Sequence, residues 1–120
     1  MIEYHKYKKS FATLNVYKRY GVDPKSMIIF DKKHRIEKFV ERPETEDIKE
    51  DFVWESGFFF IFKPEIYSYL PKEVKSDFGK DIFPRLLKER KNLYVYPTED
   101  YFIDIGNLEK LEKARKTYVF

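Results

Sequence analysis

The sequence contains no cysteine, no glutamine and only four glycines among its 120 residues. Without cysteine there can be no disulfide framework and no thiolate ligand for a metal ion. The glycines stand alone, so none of them builds a phosphate-holding loop. The abundance of lysine and glutamate beside the missing glutamine is typical of a thermophilic protein.

Long apolar segments are also missing. No stretch reaches the roughly 20 apolar residues of a membrane-spanning helix, and no signal peptide opens the chain. We therefore expect a cytoplasmic protein without a membrane partner. The 24 Lys and Arg residues nearly balance the 21 Asp and Glu residues, which argues against a dedicated nucleic-acid binder. Cations interleaved with tyrosines over residues 4–20 keep that role open only as a minor alternative.

The length predicts a single domain, residues 1–120. The abundant aromatic residues of the sequence can supply its core. The run Ser56–Phe62 ends in five apolar residues before Lys63 and Pro64, which predicts a central strand buried on both faces. Such a strand needs helices on both sides. We therefore expect an α/β fold, with a mixed sheet and flanking helices.

The other elements follow from local signals. Residues 11–17 alternate and predict a half-exposed strand, and two apolar runs around residues 31–35 predict a hairpin. Helices are expected over residues 64–70 and 77–90, with Pro84 near the start of the second, and after Asn107 as N-cap. Short strands are expected over residues 93–96 and 101–105.

Three places carry candidate chemistry. Glu41 and Arg42 end a strand, where they could hold a polyol and a phosphate or could form a surface ion pair. Asp104 lies in an apolar frame before a helix, as a metal ligand or a turn residue. Ser56 and Gly57 mark either a close approach to a ligand or a strand bulge. Neither histidine has the spacing of a metal site.

Four motifs carry a family likeness, in order and in rough spacing: Phe39–Pro43, Ser56–Phe62, Asp81–Leu87 and Tyr101–Asn107. Together they resemble the sugar-1-phosphate nucleotidyltransferases, which include mannose-1-phosphate guanylyltransferase and the glucose-1-phosphate thymidylyl- and adenylyltransferases. The resemblance extends over residues 5–117. It implies the second half of the Rossmann-like nucleotide-diphospho-sugar transferase domain, the half that binds the sugar phosphate.

The resemblance also implies roles for individual residues. Glu41 would bind sugar hydroxyls, and Arg42, where the family usually has lysine, would contact the sugar phosphate. Asp104 would hold Mg²⁺ together with an aspartate of the absent nucleotide-binding half. No residue of this chain would itself be a catalytic acid, base or nucleophile.

The floor of the sugar pocket would come from the central strand. Ser56 and Gly57 would line it, and Glu55, where the family usually has asparagine, could contact a hydroxyl. Phe102 stands where the family often has tryptophan. These departures leave the identity of the sugar open.

We expect the chain to be inactive alone, and to need a nucleotide-binding chain or self-association to complete NTP + sugar 1-phosphate → NDP-sugar + pyrophosphate. An isolated half leaves part of its sheet uncovered, so a hydrophobic edge should be exposed for a partner. The alternative is a non-catalytic remnant that acts as an interaction or regulatory module.

Overall fold

The computed structural model describes residues 1–21, 23–100 and 102–118, which form a mixed α/β fold. The helices and strands follow in the order α1 (Ile2–Tyr7), β1 (Ala12–Tyr20), β2 (Ser26–Phe30), β3 (Ile36–Glu41), β4 (Phe52–Phe62), α2 (Phe83–Lys88), β5 (Leu93–Pro97) and α3 (Leu108–Thr117). Short 3₁₀ turns at Thr45–Asp47 and Pro64–Tyr69 flank β4. The predicted fold class is confirmed.

Strand β1 is the middle of the main sheet, with β4 antiparallel on one side and β5 parallel on the other. All five residues from Ala12 to Val16 are buried, so the prediction of a half-exposed strand here is wrong. The prediction that β4 is central and buried on both faces is also wrong, because Phe58 and Phe59 are 57% and 63% exposed. The buried side chains of β1, none larger than leucine over residues 12–16, fit a doubly covered strand better than a row of phenylalanines does.

The predicted hairpin is confirmed as the antiparallel pair of β2 and β3. It is joined to the main sheet near its turn, where the amide of Val95 donates to the carbonyl of His34 at 2.9 Å. Helix α1 is fixed by two side chains: the hydroxyl of Tyr4 donates to the carbonyl of the same Val95, and His5 is hydrogen-bonded to Thr13. The hairpin and α1 thus both bond to Val95 of β5, and α1 also bonds to β1.

The core lies between the sheet and α2, around the fully buried side chains of Leu14, Phe83 and Leu86. The helix predicted over residues 77–90 is divided: a π-helical turn, Phe78–Ile82, precedes α2. Pro84 falls in the first turn of α2 as predicted, since a proline there loses no helical hydrogen bond. The π-helical turn packs against β3.

The segment after β5 differs from expectation. No strand forms over residues 102–105, and Tyr101, the first residue of the predicted strand, lies outside the described residues. Asn107 is the N-cap of α3 as predicted, because its Oδ1 accepts from the amide of Lys110 at 2.9 Å. However, α3 buries no residue, and Leu108 is 79% exposed. Over the described ranges, no helix is long and apolar enough to cross a membrane.

Candidate functional site

An open cavity of about 820 Å³ lies where β1 and β4 meet the segment after β5. Tyr17 of β1, Glu55 and Ser56 of β4, Lys25 from the loop before β2, and Asp104 all line it. Three of the predicted site residues, Glu55, Ser56 and Asp104, are therefore neighbours of one cavity. Distant parts of the sequence converge there because β1 and β4 are antiparallel and β5 runs parallel to β1.

Glu55 is the most enclosed of these residues, with only 4% of its surface exposed. Its Oε1 accepts from the hydroxyl of Tyr17 at 2.8 Å, and its Oε2 accepts from the amide of Lys25 at 3.1 Å. The Nε of Arg19 stands 3.9 Å from the same Oε2. Burial raises the pKa of Tyr17 far above its usual value, and the Glu55 carboxylate raises it further, so Tyr17 stays a hydrogen-bond donor.

Asp104 is half-buried and neutralised by cations. Its Oδ2 lies 3.5 Å from the Nζ of Lys110 and 4.0 Å from the Nζ of Lys25. Its Oδ1 accepts from the amide of Gly106 at 2.9 Å, which makes it a turn residue as well as a cavity residue. The turn holds the carboxylate at the start of α3, facing the cavity wall.

The fit to Mg²⁺ is incomplete within this chain. Among residues 1–21, 23–100 and 102–118, no group of three His, Cys, Asp or Glu side chains could hold a metal ion. Asp104 offers one carboxylate, and both ammonium groups near it compete with a cation. The residues present do not form a metal site by themselves, since Mg²⁺ requires several oxygen ligands in octahedral geometry.

The walls of the cavity carry charges of both signs. Among the residues that the structure describes, its five cations are Lys25, Lys110, Lys18, Arg19 and Lys113, and its five carboxylates are Glu55, Asp104, Asp23, Glu99 and Asp100. The buried carboxylate of Glu55 is already engaged, and that of Asp104 is shared between two lysines. An anionic ligand such as a phosphate would meet donors here, because ammonium and guanidinium groups bind phosphate oxygens well.

Glu41 and Arg42 are not among the residues that line this cavity, but they are tied to it. The amide of Arg42 donates to the carbonyl of Lys25 at 2.8 Å, while the amide of Lys25 donates to Glu55. The backbone of residue 25 therefore joins the end of β3 to the cavity floor. Arg42 has a left-handed backbone with φ of 49° and an exposed side chain.

The carboxylate of Glu41 lies against the π-helical turn, Phe78–Ile82. A Cβ placed on the buried Gly79 would collide with Oε2 of Glu41. Burial raises the pKa of Glu41 above its ordinary value, and the nearby Asp77 raises it further, while Lys80 and Arg42 act in the opposite direction. Glu41 is thus a partly dehydrated acid held beside one of like charge.

Gly57 allows a close approach, and the approaching group is Asn15. The register of β1 against β4 shifts between Leu14 and Val16, and the Asn15 side chain fills the space where a Cβ of Gly57 would stand. Oδ1 of Asn15 accepts from the amide of Phe59 at 2.9 Å. The bulge interpretation of Ser56 and Gly57 describes this geometry, and Gly57 is not among the residues that line the cavity.

Sequence reasoning missed Tyr17, Lys25 and Lys110 as site residues. Tyr17 is the last residue of the alternating stretch, residues 11–17. It could have been noticed as the only aromatic residue there that carries a hydroxyl group. Lys25 and Lys110 carried no such signal, because a lysine in a loop or on a polar helix is the commonest surface residue of this chain. Their role follows only from where the loop and α3 lie.

Comparisons with a family model and with curated proteins point to the same family. A family model described as "Nucleotidyl transferase" matches residues 1–119. A glucose-1-phosphate adenylyltransferase of Fusobacterium nucleatum is 31% identical over 121 residues, which cover 95% of this chain and 31% of the relative. That of Bacillus subtilis is 30% identical over 130 residues, with the same two shares. The chain thus spans about a third of the length of these curated relatives.

A solved structure shares the fold. The crystal structure of HddC from Yersinia pseudotuberculosis superposes with a TM-score of 0.66 at 20% identity. The match covers 95% of this chain and 48% of the HddC chain. The folded unit described above therefore corresponds to about half of a larger folded chain.

Proposed function

Because the chain belongs to the nucleotidyl transferase family, we propose that it is the sugar-phosphate-binding half of a sugar-1-phosphate nucleotidyltransferase. The complete reaction converts an NTP and a sugar 1-phosphate into an NDP-sugar and pyrophosphate. In that reaction the sugar phosphate oxygen attacks the α-phosphorus of the nucleotide. The half described here binds and orients the sugar phosphate, and the nucleotide is bound by other residues.

The observation that carries this proposal is the cavity where Glu55, Ser56 and Asp104 meet five basic side chains. Its volume of about 820 Å³ is within the range of small-molecule binding sites. Its lysine and arginine side chains can bind phosphate oxygens, and its carboxylates and the Ser56 hydroxyl can bond sugar hydroxyls. The relatives named as glucose-1-phosphate adenylyltransferases support a sugar 1-phosphate as substrate.

Within this proposal the side chains act by position and charge. Glu41 contacts sugar hydroxyls, and Arg42 contacts the phosphate after its side chain turns toward the cavity from the end of β3. Glu55 holds Tyr17 and the loop at Lys25 in place, Ser56 lines the floor, and Gly57 beside it makes room for the Asn15 side chain. Holding two reactants in line and neutralising phosphate charge supplies much of the catalysis in phosphoryl transfer, so a catalytic acid or base in this half is unnecessary.

Asp104 offers one carboxylate, so it would hold Mg²⁺ only together with ligands from the nucleotide-binding half. The ion would supply neutralisation of phosphate charge. This assignment requires Lys110 and Lys25 to release Asp104 and to pair with phosphate oxygens instead. Exchange of that kind is easy for exposed ammonium groups, whose ion pairs contribute little free energy.

The partner half docks on β4. Within the described part of the chain, β4 is the last strand of its sheet, and β2 packs beside it where the amide of Ser56 donates to the Ser26 hydroxyl. Farther along β4, Phe58 and Phe59 are exposed. Unpaired strand edges with large apolar side chains are normally covered. The HddC chain contains about as much protein again as this chain matches. We assign the part of β4 that follows Ser56, around Phe58 and Phe59, to a contact with the nucleotide-binding half.

Ligand binding by the chain alone tests whether this chain binds a sugar phosphate. Glucose 1-phosphate titrated into the labelled chain should shift the amide resonances of residues 55, 56 and 104 saturably, and more strongly than glucose or inorganic phosphate does. Lys110→Ala should weaken this binding about tenfold, which corresponds to the loss of about 1.4 kcal/mol. Lys116→Ala, on the same helix but outside the cavity wall, is the matched control. No saturable shift at millimolar ligand would refute the proposal.

Reconstitution with a nucleotide-binding half tests whether the two chains together carry out the complete reaction. The chain, Mg²⁺, an NTP and glucose 1-phosphate should release no pyrophosphate until a separately produced nucleotide-binding half of a complete relative is added. Asp104→Ala should then abolish the restored turnover. The alternative role, a non-catalytic interaction module, is favoured by the lysine-neutralised state of Asp104. It would be supported by complex formation without any turnover.

A further inference from the structure

Gly79 occupies the middle of the π-helical turn and is buried, although neighbouring residues of the turn are exposed. A Cβ built on it would collide with Oε2 of Glu41 and would stand 3.1 Å from both Cδ of Glu41 and Cε1 of Phe39. The space in question is therefore filled by the end of the Glu41 side chain. The absence of a side chain at position 79 is what allows the carboxylate to lie there.

The turn is held rigidly from both ends. Oδ1 of Asp77 accepts from the amide of Lys80 at 3.0 Å, and Oδ2 of Asp81 accepts from the amide of Asp77 at 2.7 Å. These reciprocal bonds close the turn before α2 begins and leave Gly79 with little freedom to move away. An added methyl group would consequently displace the carboxylate of Glu41, because that is the flexible partner.

We infer that Gly79 is a positioning residue, which sets the location of the Glu41 carboxylate and thereby the orientation in which sugar hydroxyls are bound. This inference rests on the proposed function only for the ligand. The contact between the turn and Glu41 is independent of it. The substrate class concerned is a hexose 1-phosphate, whose ring hydroxyls can donate to a fixed carboxylate.

Gly79→Ala is a suitable variant because it should fold. Gly79 does not hold a left-handed backbone, and the atom that its methyl group meets first is the far end of a side chain. The midpoint of urea unfolding should stay close to that of the wild type. Ser76→Ala, which lies exposed just before the same turn, is the matched control.

The first measurement is the titration of the Glu41 carboxyl carbon by ¹³C NMR, with no ligand present. The charged groups near this carboxyl are Asp77, Lys80, Arg42 and Glu55. In Gly79→Ala the carboxylate moves into solvent, so its titration midpoint should fall toward the ordinary glutamate value. An unchanged midpoint would overturn the inference, whatever the chain binds.

The second measurement is the affinity for glucose 1-phosphate. Gly79→Ala should weaken it about tenfold, and Ser76→Ala should leave it unchanged. In a double-mutant cycle with Glu41→Asp, which shortens the side chain and makes room for the methyl group, the combined loss should be smaller than the sum of the two losses. Strict additivity would overturn the inference. If the wild type binds no glucose 1-phosphate, the proposed function fails while the NMR titration still decides the role of Gly79.

Discussion

The hydroxyl of Tyr17 donates to the buried carboxylate of Glu55 across the β1–β4 pair, at a distance of 2.8 Å. The two residues are register partners in neighbouring strands. The bond closes the floor of the cavity and supplies one of the donors that a buried carboxylate requires. The site and the sheet therefore depend on the same contact.

Tyr17→Phe should destabilise the fold by about 1–3 kcal/mol, because it leaves one oxygen of Glu55 without its donor. Urea unfolding followed by circular dichroism measures this change. Tyr7→Phe is the matched control, since Tyr7 is 83% exposed. Equal unfolding free energies for the two variants would show that the Glu55 carboxylate finds another donor.

Gly57→Ala should cost about 1–3 kcal/mol, because the methyl group collides with the buried Asn15 and breaks its bond to the amide of Phe59. Gly79→Ala makes a comparable collision with the end of a less confined side chain and should cost much less. Comparing the two variants by urea unfolding isolates the effect of confinement. Similar losses in both would contradict this explanation.

Glu41→Gln should make the fold more stable at pH 7. The raised pKa of Glu41 means that the folded chain holds this proton more tightly than the unfolded chain does. The stability that Glu41 contributes is therefore fully present at pH values below its pKa in the unfolded chain. It is lost as the pH rises through its pKa in the folded chain. Unfolding free energies from pH 4 to pH 7 should fall less steeply in Glu41→Gln than in the wild type. A variant that is less stable at pH 7 would contradict the assigned cause.

Phe59→Lys should reduce self-association of the isolated chain. The exposed end of β4 offers both an unpaired edge and large apolar side chains, so the wild type should show concentration-dependent sedimentation. Ile2→Lys is a close control, because Ile2 is 62% exposed and Phe59 is 63% exposed. If both variants behave like the wild type in sedimentation velocity, the edge is not the associating surface.

Local signals were sufficient for much of the fold. The hairpin, the position of Pro84 in α2 and the Asn107 cap all follow from a few neighbouring residues, and the structure has them. The order of the strands could not be read in this way, because it depends on contacts between distant segments. Ser56–Phe62 is rich in phenylalanine and was therefore predicted to be central, whereas β1, with no side chain larger than leucine over residues 12–16, occupies that place.

The candidate site was likewise predictable from the sequence only in part. Glu55, Ser56 and Asp104 were named from the sequence and lie around one cavity, while Glu41 and Arg42 reach it only through the backbone of Lys25. The cations of the cavity wall could not be anticipated, because nothing in the sequence separates them from the other lysines. Their convergence is a product of the loop before β2 and of the placement of α3.

The left-handed backbone of Arg42 has a consequence for how this position would change under selection. A non-glycine residue with φ of 49° carries a conformational strain of about 1–2 kcal/mol, which glycine avoids and asparagine reduces. A library varied at this position and screened only for folding should therefore become rich in glycine and asparagine. A parallel screen for retention of a sugar 1-phosphate should keep arginine or lysine, and the divergence between the two populations would measure how strongly ligand binding opposes folding at this residue.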